Sequence, residues 1–571
     1  MKRRICLAAI LSVILVAVIG VIVFTGDHKY EFADSDKYPN ILIIDHEIKT
    51  TVKPWEDPET GIVHYFLPGG IDSDRVYRGD VSKKDLHLEG LFNDSIKFKQ
   101  ETECDLTYKG KEFKACFYVI PNISSVFIDT KSKSMEKINE DKENTETGKI
   151  LSISKDGKIE YMGKLEEIKG HGNATWTASD EKKPYAIKLK DTVDIGDITN
   201  VKDLLLLGLY YDGDKIHTKL ALDLAEILDS KTAIRSTYIN LYLNGEFMGL
   251  YLATEAPKKL ELFNSKDSEF LIEKDLYARA MEEVHFGIDS GDYFSICRPK
   301  NPSEEFLKET QKFVQKVDDN IREGNTDLID VESFAVQCFI QVMSQNNDAM
   351  RTSTFFYKMK DDNLLYAGPA WDFDGGFGEA YNWGETMIDP QGGVFFTDYA
   401  QLEWFKILSE DDYFKGVISD ILYDHIDEID KLFSEGIDNY EEMIKDAYKA
   451  EDTRWKWSQI KEFTKGGHYK DWTNIVRFLR YYSQSRLEYM CSKYGVDYPT
   501  THFEGNGEMH TVTFKENDET VLELTVKDGE MINPEDYPEL RGKKWMFDYF
   551  EEVFYKNVPI FEDCELVPYN Y

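Results

Sequence analysis

A chain of 571 residues with 42% hydrophobic content holds enough apolar side chain for several domains, which excludes a disordered polymer. Its 68 basic and 106 acidic residues leave a formal charge of −38, which repels phosphate backbones and argues against a nucleic-acid polymer as partner. Aromatic content is 13%, which aromatic cores and strands explain without any special function.

At the N-terminus, Lys2-Arg3-Arg4 precedes an unbroken apolar run from Ile5 to Phe24, close to the ~20 residues that cross a bilayer. Basic residues stay inside, so this pattern predicts a membrane anchor over residues 1–26 with the body outside the cytoplasm. A cleaved signal peptide, giving a secreted protein, is the alternative. The seven cysteines show no paired C-x-x-C spacing, so a structural zinc site is not indicated. Cys104 and Cys116 are close enough in sequence to be bridged outside the cell, and free buried thiols are the equal alternative.

Residues 27–130 carry short apolar runs (Ile41 to Ile44, Phe117 to Ile120, Val126 to Ile128) broken by Pro, Gly and Asp, which predicts a small β domain. The charged run 131–149 reads as an exposed loop or linker. LEEIKGHGNATW (Leu165 to Trp176) and KKPYAIKL (Lys182 to Leu189) follow. In the second of these, Tyr185, Ile187 and Leu189 alternate with Ala186, Lys188 and Lys190, a strand with one basic face. Lys188 is therefore aimed at whatever lies on that face; a strand-borne point charge is a usual holder of nucleotide phosphates, while by itself the position reads more simply as one solvated lysine among many. His171 reads as a turn residue, with no partner spacing for a metal.

A helix is predicted from about Asp214 to Leu228, with Ile216, Leu220, Leu224, Ile227 and Leu228 on one face. Tyr238 to Leu243 and Phe247 to Ala253 flank Asn244-Gly245, a two-residue hairpin signal. Glu304 to Ile321, Leu402 to Leu408, Gly416 to Phe433, Tyr440 to Lys449 and Trp472 to Lys493 are predicted helices of a larger helical lobe.

The chemistry concentrates between Ser344 and Gly378. An amphipathic helix, Val331 to Ser344, ends in Gln345-Asn346-Asn347-Asp348 and presents a carboxylate at its end. Two apolar runs, Thr354 to Met359 and Leu364 to Ala367, are separated by Lys360-Asp361-Asp362-Asn363 and predict a hairpin. The hairpin leads to Trp371-Asp372-Phe373-Asp374-Gly375-Gly376-Phe377-Gly378, where glycines let the backbone turn sharply beside two acids. An EF-hand loop is rejected, since Gly376 and Phe377 stand where that pattern requires a third acid and a glycine. Phosphoryl transfer needs one carboxylate to orient the attacking hydroxyl and another to hold metal on the phosphates. Asp348 suits the first role and Asp372 the second, although taken singly Asp348 reads as a solvated helix-end acid and the Gly-rich run as an ordinary loop.

GHGNATW with KKPYAIKL, NGEFMGLYLATE, NNDAMR leading to TFFY, and WDFDGGFG stand in the order and spacing of the CotH kinase family, which the chain resembles over roughly Lys164 to Tyr494. That family comprises spore-coat and surface proteins with an atypical protein-kinase fold. The resemblance implies an α+β, two-lobe kinase-like domain over 150–500, using ATP with Mg²⁺ or Mn²⁺ to phosphorylate Ser or Thr of a surface or coat protein. It further implies that Asp348 and Lys188 are catalytic, that Lys188, His171 and Asn173 bind nucleotide, and that Asp372, Asp374 and Thr354 hold metal. Three positions depart from the family pattern: His171 and His217 stand at or near family arginines, and Thr354 stands where the family has Asn. An adhesin or coat component without activity is the alternative. A glycosyltransferase using Asp372 and Asp374 for a metal and sugar nucleotide fits the strand-borne lysine and hairpin less well. Residues 508–571 resemble an internalin-type B repeat, a β-grasp-like module of bacterial surface proteins.

Overall fold

The structure is a computed structural model. It describes residues 37–45, 48–71, 76–78, 101–178, 182–228, 231–279, 284–346, 348–378, 388–392, 401–456, 469–499, 502–548 and 552–569. The apolar run 5–24, expected to anchor the chain, lies outside the described residues, among which no helix is long and apolar enough to cross a membrane. The protein is a mixed α+β chain with two compact units, one of residues 1–186 with 240–249 and the other of residues 187–239 with 250–571.

In the first unit, Ile48–Val52, Ile41–Asp45 and Val76–Arg78 form an antiparallel sheet in that order. A second sheet runs Trp55–Glu56, Val63–Pro68, Lys111–Ile120, Glu101–Tyr108, with its two central strands parallel. Opposed Tyr65 and Phe117 are both fully buried and stack at 5.0 Å, the kind of pair that holds a small β core together. Register decides the cysteine question. Cys104 pairs with Ala115, and Cys116 with Glu103. Because side chains alternate across a strand, the two thiols project from opposite faces and a bridge between them is excluded; both are free.

The charged run 131–149 differs from a linker in form. It contains the helix Glu136–Glu140, with Ile138 fully buried, and the start of the strand Glu146–Ile153. One apolar side chain in a charged segment is enough to seat that helical turn.

A closed seven-stranded barrel runs in the order Ile159–Gly170, Tyr185–Ile195, Ile198–Leu207, Glu246–Glu255, Ser236–Leu243, Ser124–Thr130, Glu146–Ile153. The apolar run around Val126 to Ile128, expected in the small β domain, is thus a barrel strand. The Asn244-Gly245 hairpin forms with φ of +52° and +87° at its two turn residues, the left-handed pair that matches strand twist. Asn244 also accepts hydrogen bonds through Oδ1 from the Thr130 N–H (2.9 Å) and hydroxyl (3.1 Å).

In the second unit an antiparallel sheet runs His285–Gly287, Tyr293–Arg298, Ser268–Lys274, Thr354–Met359, Tyr366–Ala367. Its last two strands are the predicted hairpin. The helix Val331–Ser344 starts where Asp330 accepts from the Ser333 N–H (2.9 Å) and ends at Gln345 in the left-handed conformation. Every side chain from Phe334 to Ser344 is buried. Phe334, Phe356 and Trp404 pack ring on ring at 5.0 to 6.2 Å, and the Trp404 indole donates to Asp318 at 2.8 Å. Such a satisfied aromatic core holds the first turn of this helix in place.

Further helices include Glu304–Arg322, Trp404–Leu408, Asp412–Lys431, Ile437–Trp455 and Trp472–Tyr494. The third begins four residues before the predicted Gly416 because the Asp411 carboxylate accepts the Phe414 N–H at 2.8 Å. The last sheet runs Glu519–Lys527, Met509–Glu516, Cys564–Tyr569, Lys544–Phe547, Glu552–Val553, with Met509–Glu516 parallel to Cys564–Tyr569. The wholly enclosed carboxylate of Asp528 joins this sheet to the helix Trp472–Tyr494, meeting Arg477 Nη1 at 3.0 Å and His510 Nε2 at 2.8 Å.

Candidate functional site

Three contacts bring the end of helix Val331–Ser344 and the Asp372 loop together. The Phe377 N–H donates to Ser344 O (2.6 Å), the Asn346 side-chain amide donates to Asp372 O (2.9 Å), and the Ser353 hydroxyl donates to Asp372 Oδ2 (2.7 Å). Asn346 also accepts the Asp348 N–H at 3.1 Å, so one side chain ties both acid-bearing loops. Phe377 can approach Ser344 because Gly376 has no side chain: a Cβ there would stand 3.2 Å from Phe373 O and 3.3 Å from Ser344 O. Gln345, Met350, Ser353, Asp372 and Phe377 all have φ between +46° and +67°. Left-handed backbone at five non-glycine residues stores strain that only surrounding contacts can hold, a usual feature of ligand sites.

The acids so gathered repel one another. Burial pushes the Asp372 carboxyl up to about 6; the Ser353 hydroxyl opposes this, and the charges of Asp348 and Asp212 add to it. Asp374 is raised well above the carboxylate range by burial, then by Asp372, Asp212 and Asp348, with His217 acting in the opposite sense. Asp348 is raised by burial and partly relieved by Arg351.

Asp212 carries no sequence motif of its own and was not among the expected site residues. It lies in the segment Tyr210 to His217, where burial first, and the charge of Asp374 second, push the Tyr211 phenol up. Asp212 and Asp214 are each 1% exposed and His217 is fully buried between them: Nδ1 is 2.9 Å from Asp214 Oδ2 and Nε2 is 3.2 Å from Asp212 Oδ1. Burial lowers the imidazole pKa, but the two carboxylates outweigh it and hold His217 well above its ordinary value. The predicted helix begins at His217 rather than Asp214, because Asp214 Oδ1 instead accepts the N–H groups of Ile216 (2.5 Å) and His217 (2.8 Å). The available signal was Asp-x-Asp-x-x-His immediately before an apolar helix.

Lys188 is half-buried on the strand Tyr185–Ile195, where Tyr185, Ile187 and Leu189 face the core as the alternation predicts. His171 and Asn173 belong to the other compact unit. There the His171 N–H donates to Pro184 O (3.0 Å), and Lys142 donates to Gly172 O (3.1 Å) and to the Asn173 side chain. The Thr354 hydroxyl accepts the Met350 N–H (3.0 Å) and donates to Thr352 O (3.1 Å). It fastens the turn before its strand.

The sequence profile of a family described as CotH kinase protein matches residues 167–490, more than half of the chain. The chain belongs to the CotH kinase family. No curated protein matches it. The matched span contains Asp212, Asp348, Asp372 and Asp374. Among the described residues no group of three or more His, Cys, Asp or Glu side chains is arranged to hold a metal ion unaided. Asp372 and Asp374 are the carboxylates that could take part in holding a cation, with its other ligands coming from outside the chain. Mutual repulsion among Asp348, Asp372, Asp374 and Asp212 is what such a cation would relieve.

Proposed function

We propose that this CotH-family protein is a kinase that transfers the γ-phosphoryl group of ATP to Ser or Thr hydroxyls of a surface or coat protein. The observation that carries the reading is the convergence of Asp348 with Asp372 and Asp374 at the end of one buried helix. Asp348 accepts the proton of the attacking hydroxyl, and its raised pKa suits a base. The hydroxyl oxygen then bonds to the γ-phosphorus as the bond to the β,γ-bridging oxygen breaks and ADP leaves. Asp372 and Asp374 would hold the divalent cation, and Lys188 would set its ammonium against the phosphates. By the family resemblance, His171 and Asn173 serve the nucleotide as well. Bound Mg²⁺ or Mn²⁺ would supply neutralisation of the phosphate charge.

The N-terminal basic and apolar run supports an extracytoplasmic body anchored at residues 1–26. The strand order of the C-terminal sheet, with its first strand parallel to its last, supports the β-grasp-like, internalin-type reading of 508–571. A second reading is a CotH-family surface binding protein without transfer activity. It draws on Thr354, whose hydroxyl is engaged with backbone on both sides and is poorly placed to serve a metal.

Incubation of the purified protein with radiolabelled ATP, Mn²⁺ and a Ser/Thr-rich acceptor tests the proposal. Label on Ser or Thr from the parent, and none from Asp348→Asn, is the expected result. Nucleotide binding without transfer to any hydroxyl would favour the second reading.

A further inference from the structure

The helix Trp472–Tyr494 carries two adjoining stripes of contacts that the mechanism above does not use. Asn474, Arg477 and Tyr481, at helical spacing, meet the C-terminal sheet and its loops. The Asn474 side-chain amide donates to Glu562 Oε2 at 2.9 Å, and Glu562 Oε1 accepts the Lys470 N–H, just before the helix, at 2.8 Å. Arg477 pairs with the enclosed Asp528 carboxylate and lies 4.3 Å over the Phe561 ring, and Tyr481 meets Phe503 at 5.7 Å. Phe478, Tyr482 and Arg486 form the second stripe and meet the candidate site instead. A Cβ on Gly378 would stand 2.9 Å from the Phe478 ring and 3.0 Å from the Tyr482 ring, so both rings close directly on the end of the Asp372 loop. The Tyr482 hydroxyl donates to Gln345 Oε1 and its ring lies 6.5 Å from that of Phe377, so one side chain supports two of the left-handed residues. Arg486, fully buried, donates to Val342 O at 2.8 Å in the last turn of the helix Val331–Ser344. Tyr469 joins the stripes: its hydroxyl donates to Pro559 O at 2.6 Å, and its ring lies 5.3 Å from Phe561 and 6.0 Å from Phe478. Buried side chains are thus in unbroken contact from the C-terminal sheet to the Asp372 loop, and close-packed interiors transmit strain.

We propose that the C-terminal sheet is a brace for the candidate site, and that Phe478, Tyr482 and Arg486 are the positioning residues through which it holds the Asp372 loop and the end of the helix Val331–Ser344. The sheet is then part of the site's support rather than a separately hung module. Loss of the Asp528 and Glu562 contacts frees one stripe of the helix Trp472–Tyr494 and loosens the other against Gly378 and Gln345. Gln345 precedes Asn346, whose side chain ties both acid-bearing loops, so the release reaches Asp348 as well as Asp372. The brace is a matter of packing, and only its bearing on phosphoryl transfer rests on the kinase reading.

Hydrogen–deuterium exchange of the full chain, read by mass spectrometry, tests the brace, with folding checked by circular dichroism. The Phe377 N–H, bonded to Ser344 O, reports on the Asp372 loop. In Asp528→Asn and in Glu562→Gln, peptides over Met509–Glu516 and over 372–378 are each expected to exchange about tenfold faster or more. The strand Tyr293–Arg298, in another sheet of the same unit, is expected to exchange as in the parent. Tyr482→Phe, which leaves the sheet contacts in place, is expected to speed exchange over 342–346 by about fivefold and to leave Met509–Glu516 unchanged. Should Asp528→Asn fail to fold, Glu562→Gln decides. Faster exchange of Met509–Glu516 with 372–378 unchanged would overturn the inference. So would parent-like exchange in every variant, or equal acceleration of all peptides, which marks a global loss of stability. A protein that shows the coupled exchange but binds no ATP would remove the kinase reading and leave the brace standing.

Discussion

Asp372→Asn should make the metal-free protein more stable at pH 8 and leave it unchanged near pH 4. In the folded state burial and the neighbouring acids raise the Asp372 carboxyl from 3.8 to about 6. A raised carboxyl pKa means the fold prefers the protonated form, so this group's stabilising effect is complete below about pH 4 and is lost as pH rises through about 6. A rise of that size corresponds to about 3 kcal/mol, shared with the neighbouring acids Asp348, Asp374 and Asp212, so a gain of about 1–3 kcal/mol is expected from the single variant at pH 8. The amide keeps the shape of the side chain and still accepts from the Ser353 hydroxyl, which limits other losses. Chemical denaturation in EDTA at about pH 8 and about pH 4 measures the difference. With Mg²⁺ and ATP the order should reverse, since the parent gains stability from binding and the variant gains little. An Asp372→Asn protein that is equally or less stable than the parent at pH 8 without metal would refute the reasoning.

Asp348→Asn should keep nucleotide affinity within about twofold while transfer falls by about 100-fold or more, as for loss of a general base, with calorimetry and radiolabel transfer as the two readouts. Asp528→Asn should loosen the C-terminal sheet, because it strips the enclosed partner of Arg477 and His510. Breaking such a pair costs about 3–5 kcal/mol, and limited proteolysis should cut this sheet first. In the parent, burial opposes the charge of Asp528, but Arg477 and His510 outweigh it and depress its pKa; this contribution is present above about pH 4 and is lost as pH falls through the lowered value. Peptide mapping of protein purified without reductant should find no Cys104–Cys116 bridge, since the two thiols project from opposite faces of their sheet.

Local patterns carried much of the fold. The helix Val331–Ser344 was readable to the residue because an amphipathic run ended in a polar break. The Asn244-Gly245 hairpin and the hairpin after Thr354 were readable for the same local reason. Asp348 and Asp372 stood out because an acid at a helix end and an acid among glycines recur in phosphoryl-transfer sites. Asp212 did not stand out, for Tyr210 to Lys215 resembles any polar turn, and only the fold brings its buried carboxylate to His217 and Thr218. The opposed faces of Cys104 and Cys116 depend on a strand register that their spacing does not disclose. Likewise, nothing local distinguishes a barrel strand at Ser124–Thr130 from one in the preceding small sheets.

The central claim is that Asp372 and its neighbours hold a metal–nucleotide complex. Calorimetric titration of the protein with ATP, with and without Mg²⁺, for the parent and Asp372→Asn, tests it most directly. Mg²⁺-dependent binding of ATP by the parent, weakened by about tenfold or more in the variant, is the predicted result. Absence of ATP binding by the parent under every metal condition, or Mg²⁺-dependent binding that survives intact in Asp372→Asn, would contradict it.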